Sequence, residues 1–429
     1  MDAFEVLSGG TLSGAVCASG AKNSALKLLA ASLLAEGCTT IRNVPAIADL
    51  DAMGRVLAHL GVDVGRDGDV VSCDVPAEIG CDTPASLVTR LRASIVVLGP
   101  LVSRCGHARV AQPGGCNLGN RGIDLHLWGL AQLGAEITLE DEAVVARAPQ
   151  GGRLRGTELE LPYASVGATE NLLMAAVTAT GTTRILNPAR EPEIVDLAGM
   201  LSQMGARVAG AGSDEIVIDG VDALEPVDHT VVGDRIEAGT YAVAGALAGG
   251  EITVEGVEPA HLALVLDKLA DAGAAVTLGD RSVTVAGAPL RAVDVVTLPF
   301  PGFPTDLQAA FLVLLSQAQG TSMLTENVFD GRFRVVDQLV AMGADVSVEA
   351  HHAIVRGPCR LEGARVAAPD LRAGAALVLA GLVADGPTVV TQAHHIERGY
   401  ADLPGKLAAL GAGVRRLGAV EAPPAPTGV

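Results

Sequence analysis

Six helix ends recur along the chain at nearly constant spacing. In each, a helical hydrophobic pattern stops at a glycine and alternating apolar residues follow; the glycines are Gly61, Gly134, Gly205, Gly273, Gly343 and Gly411. The intervals between them are 73, 71, 68, 70 and 68 residues. Glycine suits a helix end because it adopts positive φ without strain. The alternation after it predicts a strand, a turn and a second strand.

A second series of joints interleaves with the first. Each joint reads as an apolar helix, a glycine and a strand, at Gly37, Gly106, Gly181, Gly250, Gly320 and Gly386. One such joint is ordinary in any α/β protein, but six of each kind in one phase indicate duplication. Each repeat of about 70 residues therefore contains about two helices and several short strands, which predicts an α/β fold.

Six repeats divide naturally into two domains of three. We predict one domain over residues 22–232 and another over 1–21 and 233–418, with the chain crossing between them near Gly20 and Gly233. An N-terminal strand from Phe4 to Val16 is expected to close the last repeat. The uncharged stretch from Leu307 to Thr325 reads as a buried helix leading into a strand, not a membrane span. The Pro/Ala-rich tail, 419–429, is expected to be disordered.

Composition narrows the function. The 429 residues are 49% hydrophobic but only 2% aromatic, and the net charge is −19. Such a surface disfavours nucleic acid and anionic membranes as partners, so any phosphate site must be a local cationic cluster. Seven cysteines without a CxxC pair argue against a disulfide framework or a structural zinc site. With no signal-peptide pattern at the N-terminus, a cytoplasmic location is expected.

Three segments carry candidate chemistry. Lys22 and Asn23 begin a predicted helix, where exposed amides and a lysine suit a phosphate, although a solvent-facing lysine is common at such a position. The glycine-rich segment PGGCNLGNRG places Cys116 near Arg121, which favours a reactive thiol over a small apolar residue in a turn. Asp306, after two prolines, is either the N-cap of a helix or a general base.

Four arginines lie at joints of different repeats, namely Arg92, Arg332, Arg372 and Arg398. For any one of them, a surface position is the simpler interpretation. Together they are expected to converge on a cleft between two three-repeat domains, where guanidinium groups suit carboxylate and phosphate.

The chain as a whole resembles the enolpyruvyl transferase family. The resemblance is carried by ten segments in order: SGAKNSAL, LRASIVVLGPL, PGGCNLGNRGIDLH, YASVGATEN, AREPEIVD, GDRIEAGTY, PGFPTDLQA, TENVFDGRF, PDLRAGAALVLAG and HHIERGY. It implies two inside-out α/β domains, each of three βαβαββ-type units, with the active site in the cleft between them. It also implies no metal and no organic cofactor.

Among family members, the segments are most similar to those that act on a uridine-nucleotide sugar. The resemblance therefore implies transfer of the enolpyruvyl group of phosphoenolpyruvate to the 3-hydroxyl of UDP-N-acetylglucosamine, the first committed step of peptidoglycan synthesis. Oligomeric state is not predicted.

The resemblance also implies residue roles. Lys22, Arg121 and Arg398 hold the phosphate of phosphoenolpyruvate, while Arg332 and Arg372 face its carboxylate. Cys116 forms an adduct with phosphoenolpyruvate, aids proton transfer and is the thiol that fosfomycin alkylates. Asp306 takes the proton of the sugar hydroxyl, and Asn23 touches the sugar nucleotide. The expected uridine diphosphate contacts are Arg121, Gly122, Ile123, Asp124, Leu125, Ser165, Val166, Gly167, Val328 and Phe329.

Two positions depart from the family pattern. Gly122 stands where a proline usually packs beside the uracil ring, and Gly374 stands where serine is usual. Gly122 keeps open a different acceptor, such as UMP in nucleoside-antibiotic assembly. A member acting on shikimate is disfavoured, because the RGIDLH and SVG segments would be unexplained. A non-catalytic sensor of UDP-sugars is disfavoured by Lys22, Cys116 and Asp306.

Overall fold

The computed structural model describes residues 2–88, 92–112, 122–140, 142–150 and 152–418, except the side chains at 92 and 93. The described chain divides into two compact units. We call the described residues between 19 and 232 the Lys22 unit, and residues 2–18 with 233–418 the Asp306 unit. Within the described ranges, no helix is long and apolar enough to cross a membrane.

The Lys22 unit contains three four-stranded sheets. Their strands, in chain order, are β3 (Gly37–Arg42), β4 (Asp63–Asp67), β5 (Val70–Val75), β6 (Asp82–Thr83), β7 (His107–Ala111), β8 (Glu136–Glu140), β9 (Ala143–Arg147), β10 (Glu158–Glu160), β11 (Thr182–Leu186), β12 (Arg207–Ala209), β13 (Glu215–Asp219) and β14 (Asp228–Thr230). The spatial orders are β14-β3-β5-β4, β6-β7-β9-β8 and β10-β11-β13-β12.

The Asp306 unit contains three further sheets of the same size. Their strands are β1 (Ala3–Leu7), β2 (Ser13–Cys17), β15 (Glu251–Glu255), β16 (Ala275–Leu278), β17 (Ser282–Ala286), β18 (Val295–Val296), β19 (Gly320–Thr325), β20 (Asp345–Glu349), β21 (His352–Gly357), β22 (Arg365–Ala367), β23 (Thr388–Thr391) and β24 (Gly413–Leu417). The spatial orders are β2-β15-β17-β16, β18-β19-β21-β20 and β22-β23-β1-β24.

All six sheets share one pairing pattern. In each, one edge strand runs parallel to its neighbour and the remaining pairs are antiparallel. This repetition confirms the α/β class and the sixfold duplication that the sequence predicts.

The helices are spaced along the chain between the repeated strands. They are α1 (Lys22–Ala31), α2 (Ala48–His59), α3 (Ala85–Val88), α4 (Leu98–Cys105), α5 (Asp124–Gln132), α6 (Val166–Ala176), α7 (Pro192–Gln203), α8 (Arg235–Leu247), α9 (Ala263–Asp271), α10 (Gln308–Ser316), α11 (Val335–Ala341), α12 (Leu371–Val383) and α13 (Leu403–Ala409). In the Asp306 unit, α8, α10 and α12 are buried almost throughout and pack against one another. Helices that are apolar on all sides belong inside a core, so the Asp306 unit has helices within and sheets around them.

The six repeated helix ends have one geometry. Their glycines have φ between 93° and 108°. In each, the amide after the glycine donates to the carbonyl five residues earlier, as Val62 does to Leu57 at 3.1 Å and Ala412 to Leu407 at 3.0 Å. This bond closes the last turn and satisfies a carbonyl that the helix leaves free. The glycine positions in the sequence therefore predict the helix ends correctly.

The N-terminal strand differs from the prediction. The segment from Phe4 to Val16 forms two strands, because Ser8, Gly9 and Gly10 interrupt it and Gly9 has φ 98°. The first strand, β1, closes the last sheet as expected, but β2 joins β15 in a different sheet. The stretch from Leu307 to Thr325 is, as predicted, mainly a buried helix (α10) followed by β19. The tail, 419–429, lies outside the described residues.

Candidate active site

Asp306 lies in a 3-10 turn, Thr305–Leu307, between two buried arginines. One carboxylate oxygen accepts a short hydrogen bond from Arg332, and the other accepts one from Arg372 Nη2 at 3.0 Å. Of the two alternatives that the sequence leaves open for Asp306, the structure excludes the N-cap: the N-cap of α10 is Leu307, which makes no side-chain cap bond. The carboxylate instead points to the two guanidinium groups, which favour its ionised form.

Both arginines are held in place by packing. Arg332 is 6% exposed and Arg372 is 4% exposed. The guanidinium carbon of Arg332 lies 5.4 Å from the ring centre of Phe329, and that of Arg372 lies 5.3 Å from the ring centre of Tyr400. Burial is the largest effect and acts to lower the pKa of Arg372, but the charges of Asp306, Tyr400 and Asp234 together with a hydrogen bond to Tyr400 outweigh it, and the pKa rises above the ordinary range. Arg372 therefore stays a fixed cation. Tyr400 carries no signal in the sequence that would have singled it out.

The remaining three predicted residues of this unit lie in or beside two 3-10 turns. Val328 and Phe329 are half-buried in the connection between β19 and a 3-10 turn, Asp330–Arg334, which carries Arg332. Arg398 ends another 3-10 turn, Ala393–Arg398, and is half-buried. Its charge contributes to the lowered pKa of His395, after the larger effects of burial and of His394.

In the Lys22 unit, Lys22 is the first residue of α1, as predicted, and it is buried. Its ammonium lies 2.8 Å from a carboxylate oxygen of Asp49, a residue of α2 that the sequence does not reveal as a partner. Asn23 is half-buried in the same turn, and its carbonyl accepts a bond from Lys27 Nζ at 2.8 Å. The first turn of α1 therefore presents polar groups that are fixed by their neighbours.

One turn further along α1, Lys27 pairs with a fully buried carboxylate. Lys27 Nζ lies 3.2 Å from Glu170 Oε2, on α6. Burial raises the pKa of Glu170 to about 7, against the lowering effect of Lys27. This pair ties α1, which carries Lys22 and Asn23, to the helix that Ser165 begins.

The helices α5 and α6 begin with two groups of predicted site residues. The first group comprises Gly122 and Ile123, which precede α5, and Asp124 and Leu125, which are its first two residues. The second group comprises Ser165, which is the N-cap of α6, and Val166 and Gly167, which are its first two residues. The Ser165 hydroxyl accepts a hydrogen bond from the Ala168 amide at 3.4 Å. The two groups are neighbours: a Cβ placed on Gly167 would lie 3.2 Å from the His126 ring, which itself bonds Asn171 at 2.9 Å. Two helix N-termini in one place offer amides and partial positive charge to an anion.

Some predicted residues fall outside the described part of the chain. Cys116 and Arg121 are among the residues that are not described, and Arg92 is described in its backbone only, as the first residue of a 3-10 turn, Arg92–Val97.

Gly374, on α12, is buried, and a Cβ there would lie 2.6 Å from the Ile396 side chain. In the described ranges, no three His, Cys, Asp or Glu side chains are grouped so as to hold a metal ion.

Comparison with known proteins finds a family model and relatives that match nearly the whole chain. The family model of EPSP synthase (3-phosphoshikimate 1-carboxyvinyltransferase) matches residues 6–407. A relative from Mycobacterium bovis, named UDP-N-acetylglucosamine 1-carboxyvinyltransferase, is 54% identical over 96% of this chain and 99% of its own. A relative of the same name from Corynebacterium jeikeium is 52% identical over 97% of this chain and 99% of its own.

A solved structure has the same fold. The enolpyruvyl transferase NikO from Streptomyces tendae superposes with a TM-score of 0.88 at 30% identity, over 97% of this chain and 98% of that protein. The match extends over nearly the whole of both chains.

Proposed function

Because the chain belongs to the EPSP synthase family of enolpyruvyl transferases, we propose that it transfers the enolpyruvyl group of phosphoenolpyruvate to the 3-hydroxyl of UDP-N-acetylglucosamine, releasing phosphate. The name of the relatives at 54% identity supports this acceptor. The product would then enter peptidoglycan synthesis.

The observation that carries the proposal is the position of Asp306 between Arg332 and Arg372. A sugar hydroxyl is a poor nucleophile, so a base must take its proton as it attacks. In the proposed reaction, the hydroxyl oxygen bonds to C2 of phosphoenolpyruvate, its proton goes to Asp306, and the methylene carbon takes a proton from the thiol of Cys116. The resulting tetrahedral intermediate then expels phosphate and returns a methyl proton to the Cys116 thiolate, which forms the double bond of the enol ether product.

The same trio suits an anionic substrate. Arg332 and Arg372 together carry one positive charge more than Asp306 neutralises. In the part of the chain described, the Nε of Arg332 is a buried donor without a hydrogen-bond partner. A substrate carboxylate would supply an acceptor for it, and bidentate binding of carboxylate is what a guanidinium group does best. We therefore assign both arginines to the carboxylate of phosphoenolpyruvate.

For the Lys22 unit, we propose nucleotide and phosphate contacts. The beginnings of α5 and α6, with residues 122–125 and 165–167, suit a uridine diphosphate through their amides and helix dipoles. Lys22 is assigned to the phosphate of phosphoenolpyruvate and Asn23 to the sugar nucleotide. In the other unit, Val328 and Phe329 are assigned to the nucleotide.

Four residues keep the roles that the family resemblance implies. We propose that Arg121 and Arg398 bind the phosphate of phosphoenolpyruvate, and that Arg92 binds substrate. Cys116 is proposed to form the adduct with phosphoenolpyruvate and to be the thiol that fosfomycin alkylates.

The test is phosphate release from phosphoenolpyruvate with UDP-N-acetylglucosamine or UMP as acceptor. We expect the sugar nucleotide to be turned over and UMP not. Preference for UMP would leave the transfer chemistry in place but overturn the acceptor, an outcome that Gly122 makes worth testing because it replaces the usual proline. Absence of phosphate release with either acceptor would favour a UDP-sugar sensor and refute the enzyme.

A further inference from the structure

A buried carboxylate links two segments that carry proposed site residues. Glu326 directly follows β19 and is 3% exposed. Its Oε1 accepts from the backbone amides of Val328 at 2.8 Å and Phe329 at 3.1 Å. Its Oε2 accepts from the hydroxyl of Thr305 at 2.9 Å. One side chain therefore holds both the Val328–Phe329 segment and the turn that contains Asp306.

A fourth bond anchors the carboxylate itself. The hydroxyl of Thr297, which is fully buried, donates to Oε1 of Glu326 at 2.9 Å and accepts from the amide of Asn327 at 3.0 Å. The four donors to Glu326 are all uncharged. An ionised carboxylate accepts without donating, so it can serve four donors at once, and bonds to a charged acceptor are shorter and stronger than neutral ones.

We propose that Glu326 is a positioning residue for the transfer reaction, which sets the Asp306 turn and the Val328–Phe329 segment in register with each other. This inference rests on the proposed function of Asp306 as base and of Val328 and Phe329 as nucleotide contacts. Glu326 acts through those residues. Through Thr305 it orients the group that takes the proton, and through the two amides it shapes the segment that meets the acceptor.

Because the two oxygens of Glu326 bind different segments, substitutions of this residue should have separable kinetic effects. In Glu326→Gln, the amide oxygen can remain with the two backbone amides, while the amide nitrogen faces Thr305, whose hydroxyl can turn to accept. The acceptor KM should then stay near the wild-type value while kcat falls by about tenfold, the effect of weakening one bond to a charged group. Glu326→Ala loses all four bonds, so it should lower kcat further and also raise the acceptor KM by about tenfold.

The kinetic test compares these variants with Thr305→Val and with Glu349→Ala, an exposed glutamate of β20 in the same unit. Thr305→Val should lower kcat without changing the acceptor KM. Its effect should not add to that of Glu326→Gln, because both alter the same bond. Glu349→Ala should behave as wild type. If the folded fraction of Glu326→Ala has wild-type kcat and acceptor KM, the residue is structural only and the inference is wrong.

Amide hydrogen exchange separates this inference from the proposed function. The amides of Val328 and Phe329 should exchange faster in Glu326→Ala than in wild type or Glu349→Ala, whatever the acceptor is. Unchanged exchange would overturn the inference even if phosphate release supports the enzyme. Faster exchange together with no phosphate release from the wild type would instead refute the proposed function and leave Glu326 only as the structural link between the two segments.

Discussion

The two units arrange their buried charges in different ways. In the Asp306 unit, two guanidinium groups share the single carboxylate of Asp306. In the Lys22 unit, Lys22 faces Asp49 and Lys27 faces Glu170, so each ammonium meets a carboxylate. In the first arrangement two cations share one carboxylate, while in the second each cation has a carboxylate of its own.

This difference suggests a division of labour. Two buried guanidinium groups that share one carboxylate can bind a further anion, so the Asp306 trio is suited to a charged substrate group and to the proton transfer beside it. The one-to-one pairs instead fix the helices α1 and α6, and the substrate binding proposed there combines Lys22 with the helix N-termini. Substitutions can test each half of this comparison.

The largest effect is expected from Asp306→Asn. The amide keeps the shape of the carboxylate but cannot take a proton, so turnover should fall by about 10²- to 10⁴-fold. Because the negative charge of the trio is lost, the affinity for phosphoenolpyruvate should not weaken. The measurement is steady-state phosphate release, with nucleotide binding followed separately by calorimetry.

A surface aspartate is the control for that variant. Asp385 pairs with Arg360 at the surface of the same unit, with its side chain 60% exposed. Asp385→Asn should leave turnover unchanged. Undiminished turnover in Asp306→Asn would exclude Asp306 as the base. The shared carboxylate of the Asp306 unit would then have no part in proton transfer.

The next effect concerns stability in the Lys22 unit. Burial raises the pKa of Glu170 from 4.5 to about 7, helped by Glu193 and Glu191 and opposed by Lys27. The folded state therefore binds the proton more tightly than the unfolded state. The resulting stabilisation is complete below about pH 4.5 and is lost as the pH rises through 7, a change on the order of 3 kcal/mol.

Glu170→Gln should remove that dependence. Between pH 5 and pH 7.5, urea unfolding of the wild type should shift to lower urea by more than that of the variant. Glu158→Gln alters a carboxylate whose side chain is 58% exposed, and it should unfold with the wild-type pH dependence. Equal pH dependence in wild type and Glu170→Gln would mean that Glu170 is ionised in the fold at no cost.

The sequence predicts the framework far better than the charge pairs. Helix ends follow from local rules, and a left-handed glycine such as Gly61 or Gly411 leaves a clear pattern. The pairing of Lys22 with Asp49 has no such pattern, because packing between α1 and α2 creates it. The roles proposed for the site residues come from the family resemblance and stay predictions.

The same limit explains the wrong N-terminal strand and the alternative left open at Asp306. The interruption of the N-terminal strand at Gly9 is visible in the sequence, but which sheet each half joins depends on distant strands. Likewise, two prolines before Asp306 fix the turn without indicating that its carboxylate faces Arg332 and Arg372 instead of capping α10. Local sequence therefore places the residue, whereas tertiary contacts choose its partner.

A smaller effect is expected from Arg372→Lys. Lysine keeps the charge but loses the planar group that bonds Asp306 and stacks on Tyr400, so kcat/KM for phosphoenolpyruvate should fall about tenfold. Arg365→Lys, at an exposed position of β22, is the control and should match the wild type. The reciprocal change, Lys27→Arg, should leave kinetics nearly unaltered. If Arg372→Lys were equally harmless, the shared guanidinium arrangement would have no special role.

The smallest effect, at Gly122, tests whether the Lys22 unit meets the acceptor through its helix N-termini. A Cβ on Gly122 would lie 2.2 Å from Asp124 Oδ1, so Gly122→Ala must displace that exposed carboxylate. Asp124 is close enough to Tyr163 that its charge, after burial, raises the pKa of the phenol, so the start of α5 and the segment before α6 should both respond. We expect the acceptor KM to change by about two- to threefold, as for a typical surface substitution, while kcat and the KM for phosphoenolpyruvate stay constant.

The matched control is Gly199→Ala, in the middle of α7, where a Cβ meets open space. That variant should be stabilised by up to ~1 kcal/mol, the helix propensity difference between the two residues, without any kinetic change. A fall in kcat of more than tenfold in Gly122→Ala would contradict the division of labour, because the start of α5 would then take part in the chemical step and not only in holding the acceptor.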